Sequence, residues 1–296
     1  MIFKSGFVTL IGRPNVGKST LLNLLAGEKI SIISDKPQTT RNSIKTVVTT
    51  KDTQMVFIDT PGIHKPKNKL GKFMVNAARE TFSEVDVVLF LVEATSITPG
   101  AGDLFIVEQL KNLKTSVFLI INKIDLVSRE QLLPIISKYK ELMDFDAIIP
   151  VSAAKNDGVE LLVEQLKKHL PEGPKYFPDD MLTDQPMKLI AAEFIREKIL
   201  RLTKDEVPHG VGIEILQFIE RTDSEIVDIR AVIYCERDSH KGILIGKEGK
   251  MLKKIGSLAR EEMEKILGTK VFLELWVKVK PDWRNNNSIL KTLGYE

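Results

Sequence analysis

Gly12-Arg13-Pro14-Asn15-Val16-Gly17-Lys18-Ser19 stands directly after an apolar run at 7–11 and directly before a helical pattern at 19–26. Glycine is required where the chain must take a positive φ or pass close to a ligand. A strand, such a loop and a helix in this order aim consecutive backbone N–H groups and the positive helix end at one point, which suits phosphate. Lys18 supplies a cation to the outer phosphates and the Ser19 hydroxyl can ligate Mg²⁺. The full spacing in this setting points to a phosphate loop rather than an ordinary glycine-rich turn.

The loop does not select a base, but Asn122-Lys123-Ile124-Asp125 does. It follows the candidate strand at 116–121, at the carboxyl end where doubly wound sheets bind ligands. The Asp125 carboxylate can accept from the N1–H and 2-amino group of guanine. Adenine lacks that donor pair and would leave the carboxylate desolvated and unpaired. Asn122 can tie this loop to the phosphate loop, and the Lys123 stem can cover the base. Ser152-Ala153-Ala154, after the last strand, can offer a backbone N–H to the guanine O6. Asp59-Thr60-Pro61-Gly62 follows the strand at 54–59, so Asp59 would hold Mg²⁺ through water and the Gly62 N–H would meet the γ-phosphate. Between them lies Gln38-Thr39-Thr40-Arg41, and Thr40 is the favoured γ-phosphate-dependent Mg²⁺ ligand, which makes this segment a switch. The GTP-binding set is therefore Gly12, Arg13, Pro14, Asn15, Val16, Gly17, Lys18, Ser19, Thr20, Thr40, Asp59, Gly62, Asn122, Lys123, Asp125, Ser152, Ala153 and Ala154, with Ser19, Thr40 and Asp59 toward the metal. A kinase or ATPase reading leaves Asn122 to Asp125 without a purpose.

Outward from the motif, apolar runs at 7–11, 54–59, 85–92, 116–121 and 147–151 alternate with helical patterns at 19–26, 69–82, 103–113, 129–142 and 159–169. Strands this rich in Val, Ile, Leu and Phe are covered on both faces. Alternation of this kind gives an α/β fold with a doubly wound, mostly parallel sheet. Residues 171–186 hold four prolines and three aspartates and read as a linker or wrapping connector. A second unit follows: a helix at 187–202, strands at 211–219 and 226–234, a basic helix at 249–267 and a strand at 271–279. The expected domains are thus 1–170, a linker at 171–186, and 187–296 with a C-terminal tail.

In the second unit, Gly246-Lys247-Glu248-Gly249 sits between two helical patterns. Residues 241–296 carry 12 basic and 7 acidic side chains, against a whole-chain net charge of +3. Such an imbalance points to a polyanion. The loop and the element order resemble a smaller α+β KH domain of the bacterial type (type II), whose GxxG loop lets a nucleic-acid backbone approach while lysines meet its phosphates. The resemblance implies RNA contacts at Gly242, Ile245, Gly246, Lys247, Glu248, Gly249, Lys250 and Lys253. Trp276 and Trp283 read as packing residues.

Of 296 residues, 43% are hydrophobic and 28% charged, an ordinary globular composition with room for two domains. Cys235 is the single cysteine, so no internal disulfide is possible, and a reducing compartment is the simple expectation. No apolar run approaches the roughly 20 residues that span a bilayer. The N-terminal residues lack signal-peptide form and run into the phosphate loop.

The spacings of the nucleotide motifs, together with Thr39-Thr40-Arg41 and the KH-like half, resemble the Era family of ribosome-assembly GTPases, within the TRAFAC class, over essentially the whole chain. The resemblance implies a P-loop GTPase that uses Mg²⁺, binds small-subunit ribosomal RNA near its 3′ end and assists assembly of that subunit. It implies a cytoplasmic place, with peripheral contact at the inner face of the membrane as a further expectation. Ras-like GTPases place a water-orienting glutamine after the DxxG glycine, whereas Ile63 and then His64 stand here, so slow intrinsic turnover is expected. Catalytic candidates are Asn15, Thr40 and Gly62. Relatives with asparagine at the Asn15 position recruit K⁺, and Arg13 and Arg41 are further sources of charge that the sequence does not place. Two other classes remain open: an RNA-binding assembly scaffold with structural nucleotide, and a signalling GTPase whose C-terminal module binds protein or lipid.

Overall fold

The computed structural model describes residues 2–34, 36, 39–62, 68–81, 84–222 and 225–295. It divides into two compact units, one of Met1–Pro66 and Met74–Asp184, the other of Lys67–Phe73 and Gln185–Glu296.

The first unit is a six-stranded sheet in the order β2-β3-β1-β4-β5-β6. Its strands are β1 (Lys4–Gly12), β2 (Ile44–Thr49), β3 (Thr53–Asp59), β4 (Val87–Glu93), β5 (Ser116–Asn122) and β6 (Ala147–Pro150). All pairs are parallel except β2 with β3, the doubly wound, mostly parallel arrangement expected from the sequence. Alternate residues feed different cores: Val87, Leu89 and Leu91 of β4 join one cluster, while Val88, Phe90 and Val92 join the other. That is why these strands read as continuous apolar runs: neither face meets water. The helices are α1 (Lys18–Ala26), α2 (Lys69–Glu80) from Met74 onward, α3 (Ala101–Leu110), α4 (Arg129–Lys140) and α5 (Val159–His169).

Two features were not legible as elements in the sequence. β2 is an edge strand of mixed polarity, so its residues lack the apolar run that marks the others. Residues of the proline-rich connector also dock on this unit, through isolated bridges at Glu172 and Thr183. Val47 N–H donates to Leu182 O at 2.8 Å and the Thr183 hydroxyl to Lys45 O at 2.6 Å. The Gln54 side chain accepts from the N–H groups of Tyr176 and Phe177 and donates to Phe177 O. An edge strand offers unpaired backbone groups, and this segment satisfies part of them.

The second unit contains α6 (Met187–Leu202), β7 (Gly212–Glu220), β8 (Ile226–Cys235), α7 (Asp238–Ile245), α8 (Lys250–Leu267), β9 (Lys270–Val279) and a short α9 (Asn287–Thr292). β8 is the central strand, antiparallel to β7 and parallel to β9. The order from α6 to β9 matches the smaller α+β domain read from the sequence. Trp283 is fully buried and donates to Gly210 O at 2.9 Å, a packing role. Trp276 differs from its expectation. It alternates with buried Val277 on β9, shares a face with Phe272, and is 39% exposed. Among the described residues no helix is long and apolar enough to cross a membrane.

Candidate functional site

The phosphate loop leaves the end of β1 and turns into α1. Gly12 has φ +151° and an added Cβ would lie 2.4 Å from Leu91 O. Gly17, at φ +101°, would place a Cβ 2.2 Å from Asn122 Nδ2. Both positions therefore demand glycine for space as well as for conformation. Asn15 also has positive φ, at 68°, and is exposed in the loop. The loop, the Thr39–Thr40 segment, Gly62 and Lys123 line one cavity of about 460 Å³.

Lys18 is buried and its Nζ donates to the carbonyls of Gly12 and Arg13, each at 3.1 Å. Burial pulls its pKa down from 10.5 to about 8, against the pull of the nearby Asp59 carboxylate. A polyphosphate in the cavity would restore the charge by supplying the anion that burial denies it.

Two hydroxyl side chains from separate segments, Ser19 and Thr40, converge on Asp59. Its Oδ2 accepts from Ser19 Oγ at 2.9 Å and from Thr40 Oγ1 at 3.3 Å, and the two hydroxyls are 3.1 Å apart. Asp59 is fully buried, and burial drives its carboxyl pKa upward, opposed chiefly by Lys18. Its Oδ1 and the Oγ of buried Ser31 make no well-formed hydrogen bond among the described residues, although Ser31 stands close enough to steady the carboxylate. Hard oxygen donors around an under-satisfied carboxylate fit Mg²⁺. With one carboxylate here, and no group of three His, Cys, Asp or Glu among the described residues, phosphate and water must complete the shell. Gly62 lies against the loop, since a Cβ there would be 3.0 Å from the Pro14 nitrogen. Gln38, Ile63 and His64 lie outside the described residues.

The base-recognition segments meet at the carboxyl ends of β5 and β6. Asn122 Nδ2 donates to Val16 O at 2.8 Å, and its Oδ1 accepts from Ala153 N–H at 3.0 Å. The Ala153 N–H is thus taken, and the exposed Ala154 is the member of the trio left facing outward. Asp125 is exposed, with its Oδ1 accepting from the Ser152 hydroxyl at 2.6 Å. Lys123 has φ 65°, and its Nζ donates to Glu93 Oε2 at 2.8 Å.

The two arginines are placed by the fold. Arg13 Nε donates to Asp103 Oδ1 at 2.8 Å, and burial, which would lower its pKa, is outweighed by that carboxylate. Arg41 is buried, 1% exposed. Glu93 and Asp103 were missed in the sequence. For Glu93 the usable signal was its position at the carboxyl end of a parallel strand.

In the second unit, α7 ends at Gly246, whose φ +70° and ψ 177° belong to a region open essentially only to glycine. Glu248 and Gly249 also have positive φ, and α8 starts at Lys250. Lys247, Lys250 and Lys253 are exposed, and Ile245 is half-buried. Glu248 and Lys250 form a solvent-exposed ion pair at 3.0 Å. A groove of about 460 Å³ runs between α8 and β9, lined by Gly249, Lys253, Arg260, Phe272 and Leu275 among others. Of the expected RNA contacts only Gly249 and Lys253 line it; Gly242, Ile245, Gly246, Lys247, Glu248 and Lys250 do not. Arg260 and the β9 edge do, and the sequence reading omitted them.

A family model described as a 50S ribosome-binding GTPase matches residues 7–123, and one described as a KH domain matches residues 206–284. GTPase Era of Ruminiclostridium cellulolyticum is 63% identical over all of this chain and 99% of its own length. GTPase Era of Alkaliphilus metalliredigens is 58% identical over all of both chains. Two solved structures superpose with a TM-score of 0.95 at 42% identity, each covering 99% of both chains. One is a tyrosine-to-alanine variant of Aquifex aeolicus Era bound to GDP and aluminium fluoride. The other is Era in complex with MgGDPNP and nucleotides 1506–1542 of 16S ribosomal RNA. With full-length identity at this level and both domain models in their places, the chain belongs to the Era family of GTPases.

Proposed function

We propose that this protein is a Mg²⁺-dependent GTP switch that grips small-subunit ribosomal RNA near its 3′ end through its KH unit and assists assembly of that subunit in the cytoplasm. The observation that carries the switch is the meeting of Thr40, from a loop, with Ser19 and Asp59, from the phosphate loop and β3. Ser19, Thr40 and Asp59 would hold Mg²⁺ there beside the γ-phosphate, so that Thr40 would tie its loop to the nucleotide and loss of the γ-phosphate would release it. Asp125 reads the guanine edge, the Lys123 stem covers its face, and Ala154 serves the O6. Hydrolysis would draw on positive charge: Lys18 supplies one, Ser19, Thr40 and Asp59 would hold Mg²⁺, and the exposed Asn15 would hold a K⁺, each ion adding charge when bound. Arg13, engaged with Asp103, is not such a source.

The RNA half of the proposal rests on the turn from Gly246 to Gly249, where nothing lies within 4 Å of a Cβ added at Gly249, leaving its backbone open beside exposed lysines and the α8–β9 groove. A 42% identical relative with the same fold is seen with MgGDPNP and 16S ribosomal RNA. The test is binding of a fluorescent single-stranded RNA matching the small-subunit 3′ end, with GDP and then with a non-hydrolysable GTP analogue. Tighter binding with the analogue is expected. Equal affinity in both states would reduce the protein to an RNA scaffold with an uncoupled GTPase, and no binding would remove the RNA assignment.

A further inference from the structure

Glu93 ends β4 beside the guanine-recognition loop. It stands opposite Asn122 in the parallel register of β4 and β5, and the next N–H, of Ala94, donates to Asn122 O at 2.8 Å. Its backbone is therefore fixed to the strand end from which Lys123 departs. One carboxylate oxygen holds Lys123 Nζ at 2.8 Å, and the other is 3.7 Å from an Arg13 guanidinium nitrogen. Arg13 is anchored at its far side by Asp103, whose side chain is 1% exposed. Asp103 Oδ2 also accepts from the Gly100 N–H at the start of α3, at 3.2 Å. Gly102 leaves room for the arginine, since a Cβ there would be 2.8 Å from Arg13 Cδ. A chain of charges thus runs from the start of α3 through the phosphate loop to the lysine beside the base.

We propose that Glu93 is a positioning residue: by clamping Lys123 Nζ it holds the lysine stem over the purine ring, and through Arg13 it locks that stem to the phosphate loop. The proposal rests on the reading that the Lys123 stem covers the base. A lysine side chain has four rotatable bonds and loses rotamer freedom when fixed. Pinning its head before the nucleotide arrives removes that cost from binding. Glu93, Arg13 and Lys123 side chains are 25%, 28% and 31% exposed, so the cluster is partly shielded from solvent rather than an open surface pair. The effect belongs to the ring face, which guanine and hypoxanthine share, and not to the 2-amino edge read by Asp125.

The experiment is stopped-flow release of fluorescent GDP and IDP from the full chain, with single-turnover hydrolysis of bound GTP measured alongside. Glu93→Gln is expected to speed release about tenfold, by the same factor for both nucleotides, while the hydrolysis rate constant moves less than twofold. Lys123→Met keeps the stem and loses the charge, so it should speed release comparably, and Glu93→Gln added to it should do no more. Wild-type release rates in Glu93→Gln, or a full tenfold acceleration on top of Lys123→Met, would overturn the proposal. Lys123→Met tests the clamp from the other side if Glu93→Gln does not fold. Lys123→Ala separates the parent reading: if it leaves release unchanged, the stem does not cover the base. If it speeds release and the two charge-removing variants do not, only the role of Glu93 falls.

Discussion

Asn122 and Val16, 106 positions apart, are joined by a 2.8 Å hydrogen bond from the asparagine amide to the phosphate-loop carbonyl. The same side chain accepts from Ala153 N–H, so one buried amide ties together the phosphate loop and both base-recognition segments. Gly17 makes the approach possible, because any Cβ there would overlap the amide nitrogen.

Asn122→Ala removes both bonds and leaves two backbone groups unpaired in a buried setting. At about 1–3 kcal/mol for each of the two unsatisfied groups, GDP affinity should fall about 30-fold or more. Fluorescence titration with labelled GDP checks this, and an unchanged Kd would show that the segments hold their places without the tie.

Asp125→Asn exchanges an acceptor for a donor at the guanine edge. Xanthine presents a carbonyl where guanine presents its 2-amino group, so the variant should favour xanthosine diphosphate over GDP, reversing the parent's preference by on the order of 10²-fold or more. Competition binding with the two nucleotides reads this out. Retained guanine preference would mean that the base is read elsewhere.

Lys18 couples nucleotide to protons. Its folded pKa, about 8, lies below the ordinary 10.5, so between these values the nucleotide-free folded protein binds fewer protons than the unfolded chain. By linkage, this group costs stability below pH 8, and the cost is relieved as pH rises toward 10.5. Phosphate binding restores the charge, so GDP binding near pH 9 should take up roughly half to one proton through this group, and almost none at pH 6.5. Calorimetry in two buffers of different ionisation enthalpy measures the uptake. Equal heats in both buffers at pH 9 would remove the effect.

The two loop glycines in the KH unit should respond differently. A Cβ on Gly246 would lie 2.7 Å from Met251 Cβ and 3.0 Å from its backbone nitrogen, whereas nothing lies within 4 Å of one on Gly249. Gly246→Ala should therefore lower stability by about 1–3 kcal/mol. Gly249→Ala should cost about 1 kcal/mol, the left-handed penalty alone. Gly249→Asp should remain folded yet lose RNA affinity by repelling phosphate. Thermal melting beside RNA titration tests the pair, and equal destabilisation by the two alanines would contradict the packing at Gly246.

Contiguous chemistry was legible in the chain itself. Gly12 to Ser19 and Asn122 to Asp125 each act through neighbouring residues, so their spacing carries their meaning wherever the chain folds. The strands of the sheet were equally legible, because burial on both faces demands an unbroken apolar run. β2 was not, since an edge strand needs no such run, and a linker or wrapping connector at 171–186 did not say that Leu182 and Thr183 would dock on β2 and Tyr176 and Phe177 on Gln54 of β3.

The sequence alone determined that a phosphate loop, a guanine-reading loop and a glycine-rich turn beside lysines share one chain. Only the tertiary structure decided which charges meet. Arg13 is 90 positions from Asp103, and Lys123 is 30 from Glu93. Nothing in the spacing of Arg13 distinguishes a charge free to reach a phosphate from one held by a buried carboxylate. The choice is made when β4 brings its carboxyl end beside β5 and α3 sets Asp103 against the loop, because an ion pair depends on distance through space and not on distance along the chain.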